Sequence, residues 1–154
     1  MQHASNRRRV LTAGLFALWL SSAGAFAADA APSTGLGQAW PNAVDVSASP
    51  HWHVYVFERN GVRYVQINDL NGKVRAAIAT AGGNFLALPI GADASRVATP
   101  QEPLAAPASA SPGEIVYQDG TVKMLVTPDA NGAARVYAAD GDCKDPIECS
   151  ARIN

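Results

Sequence analysis

Cysteine and histidine are scarce, basic charge is not in excess and no apolar run is long, and each shortage removes a class of function. The only cysteines are Cys143 and Cys149, in "CKDPIEC". Their spacing lacks the two intervening residues of a C-x-x-C redox motif, so the simplest reading is a disulfide that clips the tail in an oxidising compartment. Closing so short a loop contributes roughly 2 kcal/mol through loop-closure entropy. Neither a G-x-S-x-G elbow nor a glycine-rich phosphate loop is present, because the glycines fall at turn positions. The apolar stretch from Val10 to Leu20 falls short of the roughly 20 residues that a helix needs to span a hydrocarbon core.

That stretch belongs to the opening "MQHASNRRRVLTAGLFALWLSSAGAFAADA", with basic Arg7, Arg8 and Arg9 before it and small Ala25 and Ala27 after it. Residues 1–27 therefore read as a helical secretory signal peptide, and residues 28–154 as a soluble mature chain that is periplasmic or secreted. "RRRVL" also loosely resembles a twin-arginine signal, so both export routes stay open. No cysteine follows the apolar run, which removes a lipid-attachment site. Without Arg7, Arg8 and Arg9 the 12 basic residues fall to nine against 13 acidic ones, a net charge of −4. Such a chain has no basic face with which to release counterions from phosphate, so nucleic acid is not an expected partner.

What remains is rich in β-forming runs. "HWHVYVFE", "VRYVQIND", "KVRAAIAT" and "NFLALPI" are separated by Asn60–Gly61, Asn71–Gly72 and Gly82–Gly83, which supply the positive φ angles of hairpin turns. Counting outward from two-residue turns sets Glu58 against Arg63, Val56 against Val65, Val54 against Ile67, Val65 against Ile78 and Ile67 against Ala76. One face then carries Val54, Val56, Val65, Ile67, Val74, Ala76 and Ile78, as a core face should. The other sets Phe57 beside Tyr64, Tyr55 beside Gln66 and His53 beside Asn68, and continues through Arg75, Ala77, Ala79, Leu86 and Leu88.

Residues 91–113, rich in Ala, Pro and Ser, read as a linker. "EIVYQ" and "TVKMLV" around Asp119–Gly120 predict another two-residue hairpin, with Ile115, Tyr117, Val122, Met124 and Val126 on one face. "AARVYA" adds a third strand. Neither group buries enough surface alone. The expected fold is all-β: an antiparallel four-stranded meander (about 51–90) packed with a three-stranded group (about 114–138) in one sandwich- or barrel-like domain. Residues 28–50 read as irregular, with Trp40 anchoring them to the sheet, and 139–154 as a disulfide-clipped tail.

Three clusters are candidates for chemistry. His51 and His53, at i and i+2 of an extended chain, share a face and are potential metal ligands, but the spacing supplies no third ligand. His53, Tyr55, Gln66, Asn68 and Arg75 form a polar group beside an apolar shelf of Tyr55, Phe57 and Tyr64, which reads either as a solvated sheet face partly covered by Trp40 and the linker or as a surface suited to a peptide or a small ligand. Asp140, Asp142 and Asp145 in "DGDCKD" are oxygen ligands of the kind calcium takes, yet Lys144 and the lack of a closing glutamate depart from an EF-hand loop, so an acidic turn is the better account. Ser47 and Ser49 precede the histidines without a nameable catalytic partner. No enzyme activity and no cofactor are expected.

The block "WHVYVFERNGVRYVQINDLNGKVRAAIATAGGNFLALPIG" resembles short exported bacterial proteins that carry no assigned function. The resemblance covers about the middle third of the chain, implies an envelope location and transfers no residue role. The expected role is non-enzymatic: a β-sheet face that binds another envelope protein, a peptide or a second copy of the chain, as a homodimer. The alternatives are metal binding at His51 and His53, or a small ligand held at Tyr55, Gln66 and Arg75.

Overall fold

Asn60 and Gly61 reverse the chain in two residues because both take positive φ, 53° and 77°, the combination that matches the twist of the flanking strands. The turn joins β1 (Trp52–Arg59) to β2 (Val62–Asp69). The register is the expected one, from Glu58 opposite Arg63 through Val56 opposite Val65 to His53 opposite Asn68. The computed structural model describes residues 32–105, 112–129 and 131–152, so the predicted signal helix lies outside the described residues. The described residues form one compact unit.

The next turn differs in detail. In place of a two-residue turn at Asn71–Gly72, residues 70–72 form a three-residue loop closed by Asp69 N–H donating to Lys73 O (3.0 Å) and Gly72 N–H donating to Asp69 O (2.9 Å). Glycine is needed at 72 twice over. Its φ is +79°, and a Cβ there would lie 2.6 Å from the Trp40 indole. The extra loop residue is absorbed by a bulge: Asn68 pairs with Val74 while Ile67 pairs with Ala76, leaving Arg75 unpaired in β3 (Val74–Ala81). The two irregularities cancel, so Val65 still faces Ile78. A second two-residue turn at Gly82–Gly83 leads to β4 (Asn84–Ala87), and the sheet order is β1-β2-β3-β4.

The bulge re-aims Arg75. Its Nε donates to Asp93 Oδ2 at 2.6 Å and its Nη2 to the carbonyl of Gly132 at 2.8 Å, with Asp69 Oδ2 3.5 Å from Nη1. Gly132 lies in the loop between two strands of the second sheet, so this guanidinium ties the sheets together.

The second sheet has order β5-β9-β8-β7, built from β7 (Glu114–Gln118), β8 (Lys123–Pro128) and β9 (Ala134–Ala139), with short β5 (Val97–Ala98) added parallel to β9. The region read as a linker therefore contributes a fourth strand, and β6 (Leu104–Ala105) pairs with β10 (Ala151–Arg152). The expected turn at Asp119–Gly120 is corrected to one at Gly120–Thr121, closed by Asp119 N–H donating to Val122 O (2.8 Å), with Gln118 opposite Lys123. The reason is the Asp119 side chain. Its Oδ1 accepts from Thr121 N–H (2.7 Å) and Val122 N–H (2.8 Å), holding the backbone in a side-chain-capped turn. Partial burial raises the Asp119 pKa, but those hydrogen bonds and the Tyr117 hydroxyl outweigh it and hold the carboxyl at about 2. A bulge at Val116 follows, so Val116 is buried in place of Ile115, which faces Leu125 on the outer side.

Val54, Val65, Ile67, Ala76, Ile78 and Phe85 of the first sheet meet Val116, Val122, Met124, Val126, Val136 and Ala138 of the second in one core. All-β architecture with a meander packed on a second sheet is thus what the chain adopts. Outside the second sheet, α1 (Pro146–Ser150) is capped by Asp145 Oδ1 accepting from Ile147 N–H (2.9 Å), and Cys143 and Cys149 form the expected disulfide. Among the described residues no helix is long and apolar enough to cross a membrane.

Arg75 and Asp93 are only 9% and 3% exposed. Arg75→Ala should lower the unfolding free energy by about 3–5 kcal/mol, because Asp93 is left buried without its cation. A urea titration showing a loss below about 1 kcal/mol would show that Arg75 is not a tie on which the fold depends.

Candidate functional site

The second face of the meander is roofed by the chain's own residues 34–46, an N-terminal strap. Thr34 bridges to Asn42, Asp45 bridges to Tyr55, and Val46 N–H donates to Val54 O at 2.8 Å. Two residues on, Ala48 N–H donates to Val116 O (2.8 Å), so the same segment runs from the outer edge of β1 to β7. At the opposite edge, the N–H groups of Phe85 and Ala87 in β4 donate to Gln101 Oε1 (3.0 Å) and Glu102 Oε2 (3.3 Å). Part of each edge of the first sheet is thereby occupied.

Gln66 and Asn68 are fully buried and hold the strap. Gln66 Oε1 accepts from Gly37 N–H at 2.6 Å, and its Nε2 donates to Gln38 O and to Asn68 Oδ1, both at 2.8 Å. Asn68 Nδ2 donates to Ala39 O at 2.7 Å. A buried amide without partners costs about 1–3 kcal/mol, so these bonds give the strap one position. Tyr55 and Phe57, each 5% exposed, lie beneath it.

The predicted binding residues therefore part company. His53, Tyr55, Gln66 and Asn68 sit together under or beside the strap, whereas Arg75 belongs to the Asp93 pair and reaches the other sheet. Phe57 and Tyr64 line a groove of about 490 Å³ with Pro32, Leu36, Glu58 and Arg59, apolar at its base and carrying both charge signs at its rim.

The two histidines also separate. β1 begins at Trp52, so His51 precedes the strand and the alternation that placed both rings on one face does not reach it. His51 Nδ1 lies 3.0 Å from Glu114 Oε2, and Ser49 Oγ donates to Glu114 Oε1 at 2.6 Å. The carboxylate stands between the serine and the imidazole, so the imidazole does not act as a base on the hydroxyl in this order. Partial burial raises the Glu114 pKa, but hydrogen bonds from Ser49 and His51 outweigh it and leave the carboxyl a weaker base than usual.

His53 Nδ1 lies 2.6 Å from Asp45 Oδ2, while Oδ1 accepts from Val54 N–H (2.9 Å) and Ser47 N–H (3.0 Å). Partial burial raises the Asp45 pKa, and the bonds from His53, Val54 and Ser47 bring the net shift below the ordinary carboxylate value. An ionised carboxylate only accepts, so Nδ1 is the donor and Nε2 faces away from Asp45. The Trp40 ring meets His53 edge-on, with centroids 5.3 Å apart. Trp40 is thus the anchor expected from the sequence, though it is 60% exposed. Among the described residues no three His, Cys, Asp or Glu side chains converge as a metal site.

The sequence reading anchors residues 28–50 to the sheet through Trp40 but does not reach the backbone cover that residues 34–46 form over Gln66 and Asn68. The only sequence signals of that cover are the "GLGQ" bend and Asp45, eight residues before His53. No protein-family model, no curated protein and no solved structure matches the chain.

Asn68→Ala removes the donors to Ala39 and the acceptor for Gln66, and should cost about 1–3 kcal/mol of stability. Limited proteolysis should then cut within residues 34–46 while the sheets stay intact. Cleavage no faster than in the parent protein would show that Asn68 does not hold the strap.

Proposed function

We propose that the protein is exported and acts without catalysis, docking an apolar surface of another envelope protein on its strap-covered end. One observation carries this reading. Among the described residues, four of the five large apolar side chains left exposed, Trp40, Val44, Val46 and Leu70, lie on the strap or on the β2–β3 loop beneath Trp40. The expectation of an open sheet face gives way here to the outer surface of the strap that closes that face.

The physical support is specific. Trp40 rests on Gly72 and His53, so an exposed indole is held in one place and little freedom is lost when a partner covers it. The Cys143–Cys149 bond supports an oxidising compartment, in keeping with a leader at residues 1–27.

A photo-crosslinking residue placed at Val44 in cells should trap one defined envelope protein, and Leu70→Asp should abolish the crosslink without unfolding the chain. A crosslink to a second copy would make the partner another molecule of the same chain. No crosslinked species from Val44, together with a monomer in light scattering, would defeat the proposal.

A further inference from the structure

The outer face of the second sheet is covered in part by the chain's own C-terminal tail. Strand alternation sends Val136 and Ala138 of β9 into the core, and Arg135, Tyr137 and Ala139 to the opposite side, where Lys123, Leu125 and Thr127 of β8 join them. Lys123 Nζ donates to Cys143 O, and Gln118 Nε2 donates to Gly141 O at 3.2 Å, so the tail starts on this side, with α1 packed against β8 and β9. Tyr137 is fully buried although it faces away from the core.

Packing holds this cover only weakly. α1 has five residues, too few for a helix to persist alone, and its buried residues are Pro146 and Ser150, whose hydroxyl donates back to the Pro146 carbonyl. No described residue after Ala139 belongs to the hydrophobic core, and β10 adds a pairing of only two residues with β6. The face beneath is left incompletely satisfied. The Tyr137 hydroxyl and Arg135 Nε are buried without a hydrogen-bond partner among the described residues, Thr127 and the rest of the guanidinium standing beside the hydroxyl outside hydrogen-bonding geometry. Buried polar groups without partners favour an open, hydrated arrangement. One covalent bond opposes it, the Cys143–Cys149 disulfide that ties the last turn of α1 to the chain before the helix.

The bond is accessible from one side, because Cys149 is exposed and Cys143 is buried. We propose that the tail is a redox-released lid: a dithiol reductant opens the disulfide, α1 and β10 leave the second sheet, and Tyr137 becomes accessible while both sheets stay folded. A thiolate of the reductant attacks Cys149 Sγ, forming a mixed disulfide and releasing Cys143 as a thiolate that takes up a proton. The reductant's second thiol then displaces Cys149. The pair thus gains two electrons and two protons, and the dithiol leaves as a disulfide.

The test compares the full mature chain in its oxidised form, after reduction with dithiothreitol, and as the double variant Cys143→Ser/Cys149→Ser. Hydrogen exchange reads the backbone, and nitration by tetranitromethane, located by mass spectrometry, reads the tyrosines. Reduction and the double variant should each speed nitration of Tyr137, and exchange at the amides of residues 147 and 149, by about tenfold or more, the scale of the loop closure that is lost. The Val65 and Val126 amides should stay protected, nitration of Tyr64 should not change, and reoxidation of the reduced chain should restore the closed state. Tyr137 and the tail amides equally protected with and without the bond, or protection lost throughout both sheets when the bond is absent, would each overturn the proposal.

Discussion

The hydrogen bonds of two buried amides, Gln66 and Asn68, to the backbone of residues 37–39 are the constraint on which the rest of the molecule depends. A four-stranded meander with apolar side chains on both faces needs two covers, and the second sheet supplies only one. The chain supplies the other from its own N-terminal strap. The strap turns its Trp40, Val44 and Val46 side chains outward, so it buries too little apolar surface to be held by packing alone. Donors and acceptors that would otherwise be stranded in the interior hold it instead, and their desolvation penalty is what makes the covered arrangement the favourable one.

Charge then fastens the parts that the amides do not reach. Asp45 fixes His53 and two backbone N–H groups at the far end of the strap, and Glu114 fixes His51 and Ser49 where the strap passes to β7. Arg75, set free by a β-bulge, joins the meander to the β8–β9 loop through Asp93 and Gly132. Histidines and acids that suggest a metal or a catalytic group in the sequence are, in the fold, the fastenings of a closed surface. The function proposed from this arrangement uses what the closure leaves outside: a fixed indole, two valines and a leucine.

The meander was readable because type I′ turns admit few residues, so Asn60–Gly61 and Gly82–Gly83 determine the pairing by counting. At Asn71–Gly72 the count succeeded only because a longer loop and a bulge offset each other. At Asp119–Gly120 the turn moves on by one residue, because the aspartate side chain takes the Thr121 and Val122 N–H groups, and a bulge then puts Val116 in the core in place of Ile115. Two-residue strands such as β5 and β6 carry no period to detect. Gln66 and Asn68 were recognised as a polar cluster on the second face, but an alternating polar pattern is the same whether the strand faces water, a ligand or another stretch of backbone. For that reason the pattern identifies the residues of the face and leaves their role to the fold. Arg75 was placed by simple alternation, which a bulge breaks.

Native-state hydrogen exchange at the Gly37 amide tests the closed face most directly, because that N–H has Gln66 Oε1 as its acceptor and is otherwise near the surface. If the strap is part of the fold, the Gly37 amide should exchange only with the free energy of global unfolding, alongside core amides such as Val65 and Ile78. Exchange at the rate of an open loop, with Val65 still protected, would show that the sheet face is uncovered in solution and would contradict the account.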